Sequence, residues 1–144
     1  TEQLDLPGAR KMKHLRALLL SRPFSGRVPD ELVIADGQGT GGEHIAATRD
    51  RRGAYAFLYL PTGRTVKANL GTLVGAREVK AWWFDPRAGE PTFIGSWKLE
   101  GDNPRYTTVE LDPPGTPGRG NDWVLVLDDA ARGFPPPGKG EASR

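Results

Sequence analysis

The sequence predicts an all-β fold, an antiparallel β-sandwich of about seven to eight strands preceded by one amphipathic helix. Three observations carry that expectation. Short apolar runs recur about every ten residues between Leu32 and Leu127, several of them alternating apolar with polar residues. The 19 glycines and 13 prolines fall between those runs rather than in one block, until about residue 130. Ahead of the runs, one stretch has helical spacing instead. At 144 residues, 37% hydrophobic and 26% charged, the chain has the size of one domain, enough to bury roughly 68–70% of its unfolded surface. The expected division is a helical connector over 1–23, a sandwich over 24–129 and a flexible Pro/Gly-rich tail over 130–144.

The helix is expected from Leu6 to Ser21. Met12, Leu15, Leu18 and Leu19 recur at spacings of three and four, with Arg10, Lys11, Lys13 and Arg16 between them. Pro7 suits a first turn, and Pro23 prevents continuation past Arg22. His14 reads as a surface histidine, because no histidine or carboxylate stands four positions on. Such a stripe must lie against this domain or against another one.

Strands are expected at Leu32–Ala35, His44–Arg49, Ala54–Leu60, Arg64–Leu70, Arg77–Phe84, Pro91–Trp97, Tyr106–Leu111 and Trp123–Leu127. The second and third form a hairpin across the Asp50–Gly53 turn. In Ala54–Leu60, Tyr55, Phe57 and Tyr59 share one face, and Ala56, Leu58 and Leu60 the other. In Arg64–Leu70, Val66, Ala68 and Leu70 face inward. Pro91–Trp97 sets Phe93, Gly95 and Trp97 against Thr92, Ile94 and Ser96. Trp123–Leu127, apolar throughout, reads as a central strand. Gly37, Gly39 and Gly42 satisfy G-x-G-x-x-G, but too few residues follow for the helix that would hold a pyrophosphate, so the run reads as a loop.

The fold is organised around Arg77–Arg87. Val79, Ala81 and Trp83 share one face of this strand, Lys80, Trp82 and Phe84 the other, and Asp85-Pro86 stops it. Two adjacent tryptophans cannot enter one core. One packs centrally; the other is covered by a further element or open to a partner.

Several function classes are excluded. No cysteine is present, so there is no disulfide, thiolate metal site or cysteine nucleophile. Lys+Arg 20 against Asp+Glu 18 leaves +2, and only Arg49, Arg51 and Arg52 cluster, which reads as a solvated turn rather than a nucleic-acid stripe. No apolar run approaches the ~20 residues of a membrane span, and no signal-peptide pattern stands in these residues. The start at Thr1 predicts a processed product or a piece of something longer.

Catalytic patterns are equally thin. No G-x-S-x-G elbow, H-E-x-x-H helix, P-loop or EF-hand loop occurs, so no metal or cofactor is expected. Asp85, Glu100, Asp128 and Asp129 could supply the carboxylate pair of a glycosidase. Yet Asp85 stands before a proline turn and Asp128-Asp129 end a strand, ordinary places for structural aspartates. Binding is the better-supplied chemistry. Trp and Tyr offer flat apolar faces with a polar edge, suited to sugar rings or to proline-rich, collagen-like strands. The candidates are whichever of Trp82 and Trp83 leaves the core, with Trp97 and Tyr59, and Arg64 or Arg87 as hydrogen-bond donors.

The blocks Met12 to Leu19 (MKHLRALL), Ser21 to Phe24 (SRPF), Arg27 to Asp30 (RVPD), Tyr59 to Gly63 (YLPTG), Ala81 to Arg87 (AWWFDPR) and Asp122 to Leu127 (DWVLVL) together resemble one family. It is the module named "putative collagen-binding domain of a collagenase", which follows an α/β-barrel in longer bacterial proteins similar to apiosidase-type glycoside hydrolases. The resemblance covers nearly the whole chain, from the helix to Asp129. YLPTG and WWFDPR are its most specific blocks. It implies a non-catalytic β-sandwich appended to a hydrolase and exported, hence secreted or periplasmic, with collagen or a polysaccharide as ligand. The helix would then be the connector from the barrel, its leucines packing at the junction. A domain that only braces the barrel is the alternative, and glycosidase activity from Asp/Glu pairs a second. The resemblance assigns no ligand-binding residue.

Overall fold

The computed structural model describes residues 7–23, 26–99 and 107–140. Among them stand one helix, α1 (Pro7–Leu20), and nine strands: β1 (Arg27–Pro29), β2 (Ile34–Asp36), β3 (Ala46–Asp50), β4 (Tyr55–Leu60), β5 (Val66–Asn69), β6 (Glu78–Asp85), β7 (Glu90–Lys98), β8 (Thr108–Leu111) and β9 (Trp123–Asp129). All pairings are antiparallel. A six-stranded sheet runs β1-β3-β4-β9-β6-β7 and a three-stranded one β2-β5-β8. The expected sandwich is therefore present, with its N-terminal helix. Of the expected start of the helix and of the seventh strand, Leu6 and Tyr106 lie outside the described residues.

Strand alternation builds two cores, one on each side of the larger sheet. Ala56, Leu58 and Leu60 of β4, Val79, Ala81 and Trp83 of β6, and Trp123, Leu125 and Leu127 of β9 face the smaller sheet, where Val66, Ala68 and Leu111 meet them. Trp83 and Trp123 pack there edge to face, centroids 6.3 Å apart. On the outer side, Tyr55, Phe57, Phe84, Val124 and Val126 form a second core, with Leu18 of α1 inserted and Leu15, Tyr59, Trp82 and Phe134 against it. β9 lies between β4 and β6 and is buried from Trp123 to Asp128, which explains its unbroken apolar run. The two tryptophans are thus divided by the pleat, one to each core.

The helix sits differently from the expected stripe. Met12, Leu15, Leu18 and Leu19 span an arc of about 120° on a helix of 3.6 residues per turn. Only one edge of the arc meets the sheet: Leu18 is 2% exposed, whereas Met12 is 66%, Leu19 41% and Leu20 48% exposed. The helix ends as Ser21 directs both its N–H and its Oγ to the Leu18 carbonyl, at 3.1 and 2.6 Å.

Three further features depart from the sequence pattern. β1 was too short to show alternation; its three residues pair with β3, Arg27 opposite Asp50 and Pro29 opposite Thr48, at the sheet edge where proline is tolerated. In β7 the register passes from Ala81 opposite Gly95 to Trp82 opposite Phe93, leaving Ile94 as an extra residue. That bulge reverses the parity, so Phe93 stands beside Trp82 on the outer face while Ile94 and Trp97 pack against the inner core. Phe93 and Trp97 do not share a face. Finally, residues 130–140, which have the composition of a tail, carry specific contacts. The Phe134 ring covers the Arg22 guanidinium at 5.0 Å and meets Tyr55 edge to face at 6.0 Å. Pro137 is buried.

Candidate functional site

The six sequence-derived candidates do not converge. Trp83 is 5% exposed inside the sandwich and offers no surface to a ligand. Trp97, opposite Val79, packs at the inner core as well. Arg64 lies in the turn before β5, against the β2–β3 loop, with Nε 3.7 Å from Glu43. That loop holds Gly37, Gly39 and Gly42, and Gly41–Glu43 is a single 3-10 turn rather than a phosphate-binding helix, as the sequence indicates.

Tyr59 and Arg87 do meet, through Asp122. The Tyr59 hydroxyl donates to Asp122 Oδ2 at 2.8 Å, Lys11 of α1 pairs with the same oxygen, and Arg87 Nε stands 3.7 Å from Oδ1. Arg87 also donates to the Gly120 carbonyl at 2.7 Å and covers the Trp123 ring at 5.2 Å. The Asp122 hydrogen bond, partly opposed by burial, holds the Lys11 ammonium above its ordinary value. Burial first, then the Asp122 bond, pushes the Tyr59 hydroxyl up. These groups fasten the helix to the sheet and are already engaged with one another.

That leaves Trp82 and what surrounds it. Trp82 is half-buried on the outer face, and Phe93 packs edge to face against it, centroids 5.1 Å apart, with 51% of its own surface in water. The pair lies on the last two strands of the sheet. Lys80 and Ser96 stand opposite each other two positions along. Such a ledge presents part of two apolar ring surfaces to solvent next to polar groups, with the Trp82 indole N–H itself buried, a surface suited to rings or prolines. The sequence missed Phe93, because the bulge that turns it outward leaves no compositional mark.

The carboxylates named for glycosidase chemistry are committed elsewhere. Asp85 Oδ1 accepts the Arg87 backbone N–H and Nε, both at 2.9 Å. Asp129 caps the following turn through Ala131 N–H at 3.1 Å. Asp128 is buried and receives two bonds from Arg22, at 2.9 and 2.8 Å. Glu100 lies outside the described residues. Among the described residues no three His, Asp or Glu side chains are grouped to hold a metal ion, and no helix is long and apolar enough to cross a membrane.

The scaffold is thus two sheets with one helix on the outer face of the larger one and an aromatic ledge on the same face. Residues 28–128 match the family described as "Putative collagen-binding domain of a collagenase", and the chain belongs to that family. Two solved structures are similar over most of the chain. One, a "Glycoside hydrolase", is 29% identical with a TM-score of 0.78, covering 90% of this chain and 27% of its own. The other is a glycoside hydrolase family 5 protein from Bacteroides vulgatus ATCC 8482, 28% identical with a TM-score of 0.81 over 99% of this chain. This chain spans only 27% and 28% of those two proteins. Among curated proteins no match was found. The chain is accordingly an accessory domain of the kind attached to glycoside hydrolases.

Proposed function

We propose that this domain is non-catalytic and binds a polymer, collagen or a polysaccharide, for a secreted or periplasmic hydrolase to which it is attached. The observation that carries the reading is the Trp82–Phe93 pair, an aromatic ledge left half in water while the other large rings of the sheet are buried or engaged. Ring faces of this kind hold sugar rings and proline strands through apolar contact. The engagement of Asp85, Asp128 and Asp129 in structural bonds supports a role without bond cleavage. The test is co-sedimentation of the domain with fibrillar collagen and with insoluble polysaccharides, beside Trp82→Ala and Phe93→Ser. Retention on one polymer, reduced at least about fivefold by either substitution, supports the reading. Equal retention of all three proteins removes the ledge from it.

A second reading has its own observation. Met12, Leu19 and Leu20 leave an apolar ridge on the outside of α1, next to a groove of about 310 Å³ lined by Leu15, Leu18, Ala46, Phe57 and Tyr59. A hydrolase barrel packed on this ridge would make the domain a brace as well. Joined to its barrel, the domain with Met12→Glu and Leu20→Glu would then lose thermal stability of the barrel transition, which an independent binding module would not.

A further inference from the structure

We propose that residues 133–140 are a displaceable strap that occupies the aromatic ledge as an internal ligand, and that a proline-rich, collagen-like strand from outside exchanges with it. The inference rests on the reading of that ledge as a binding surface and names its ligand class and its control. Register fixes where the strap lies. On the outer face of the sheet, Tyr55, Asp128 and Lys80 form one row, Phe57, Val126 and Trp82 the next, and Tyr59, Val124 and Phe84 the third. Phe134 sits at the first row, on Tyr55. Gly138 sits at the third, where a β-carbon on it would stand 2.6 Å from Phe84 Cε1. Pro135, Pro136 and Pro137 therefore cross the middle row, which Phe57, Val126 and Trp82 make up.

The occupant has the chemistry of the ligand. Its sequence contains one Pro-Pro-Gly, an instance of the Gly-X-Y triplet of collagen strands. Fixed proline φ angles keep the ordering cost of such a strand small. Pro136 to Lys139 closes a turn, Lys139 N–H to the Pro136 carbonyl at 3.0 Å, with Gly138 at φ +78°. The anchors are few: one half-buried phenylalanine, one buried proline, and an exposed Lys139–Glu90 pair at 3.6 Å that adds little. A segment so held opens at modest cost, and a ligand competing for its place sees an affinity reduced by the closed fraction.

Gly138→Ala and Phe134→Ala test this in the whole chain. The first puts a methyl group against the buried Phe84 ring and lifts the turn; the second removes the phenylalanine anchor. Both are read by fluorine NMR of fluorotryptophan-labelled protein for exposure of Trp82, and by titration with a triple-helical (Pro-Pro-Gly)n peptide and with soluble polysaccharides. The expected result is a more exposed Trp82 and peptide binding about fivefold tighter than in the parent, abolished by adding Trp82→Ala. An unchanged Trp82 in both variants overturns the strap and leaves the binding role standing. An exposed Trp82 that takes a polysaccharide but no peptide overturns the ligand class alone. An exposed Trp82 that takes neither overturns this inference and the proposed function together.

Discussion

Arg22 and Asp128, 106 positions apart, meet in a bidentate pair at 2.9 and 2.8 Å with both side chains sealed from water. The pair ties the end of α1 to the centre of the larger sheet. Arg22 also donates to the Ser21 carbonyl at 2.9 Å, and the Phe134 ring closes over it. Nearby, Arg27 donates to the Tyr55 hydroxyl at 2.6 Å, which in turn donates to the Pro23 carbonyl at 2.5 Å. The helix is held to the sheet by directional bonds as well as by Leu18.

Removing one member of this pair leaves a buried charge unpaired, so Arg22→Met should cost about 3–5 kcal/mol in urea unfolding. Arg22→Met with Asp128→Leu should recover most of that. Burial pushes the Asp128 carboxyl above its ordinary value of 3.8, and the Arg22 charge and hydrogen bonds offset only part of the rise. A carboxyl raised in the folded state contributes stability below its unfolded value and loses it as pH rises through the folded one. Without Arg22 the rise is larger. The deficit of Arg22→Met should therefore be smaller near about pH 4 than near about pH 7; an equal deficit at both would contradict the burial of this group.

The adjacent tryptophans should respond unequally. Trp83→Ala opens a cavity between the sheets beside Trp123 and should cost about 3–5 kcal/mol. Trp82→Ala removes a ring already partly in water and should cost about 1–2 kcal/mol. Urea midpoints of the two variants decide it; a reversed order would mean that the strand faces are exchanged.

Much of this arrangement was readable in advance because alternation is a local property. Val79, Ala81 and Trp83 on one side and Lys80, Trp82 and Phe84 on the other follow from position alone. Position alone also sets the two tryptophans on opposite faces, but not which of them faces outward. The packing of residues 134–138 against the outer face was not legible in advance. Phe-Pro-Pro-Pro-Gly has the composition of a loop, and only the folded sheet supplies the Tyr55 and Phe84 rings on which it rests. The Ile94 bulge changes one residue of spacing without changing composition, which moved Phe93 away from Trp97. The Arg22–Asp128 pair joins positions 106 apart, a distance no local pattern reports.

The glycine of the Tyr59–Gly63 block has a physical reason. Gly63 has φ +64°, and a β-carbon there would stand 2.6 Å from the Asn121 carbonyl oxygen. Gly63→Ala combines a left-handed backbone with a clash against main chain, and should cost about 1–3 kcal/mol. A variant as stable as the parent would show that this turn is not packed against the β8–β9 loop.

Alkaline pH should loosen α1. The Lys11 ammonium is raised, mainly by its bond to Asp122, and the Tyr59 hydroxyl is raised mainly by burial. Both groups give stability that is present below their unfolded values, 10.5 and 10.0, and is lost as pH rises through the folded ones. Thermal melting against pH should therefore fall at the alkaline end, with a shallower fall in Lys11→Met and Tyr59→Phe. Identical profiles would separate these residues from the attachment of the helix.

On the proposed reading the outer face of the larger sheet meets a partner while the inner one only holds the sheets together. Fluorine NMR of fluorotryptophan-labelled protein, titrated with a collagen peptide and with soluble polysaccharides, follows both faces in one experiment. The expected outcome is a saturable shift of the Trp82 resonance by one of these polymers, with Trp83 unmoved and the polymer recovered uncut. Silence at Trp82 throughout, or cleavage of the polymer by this domain alone, would contradict it.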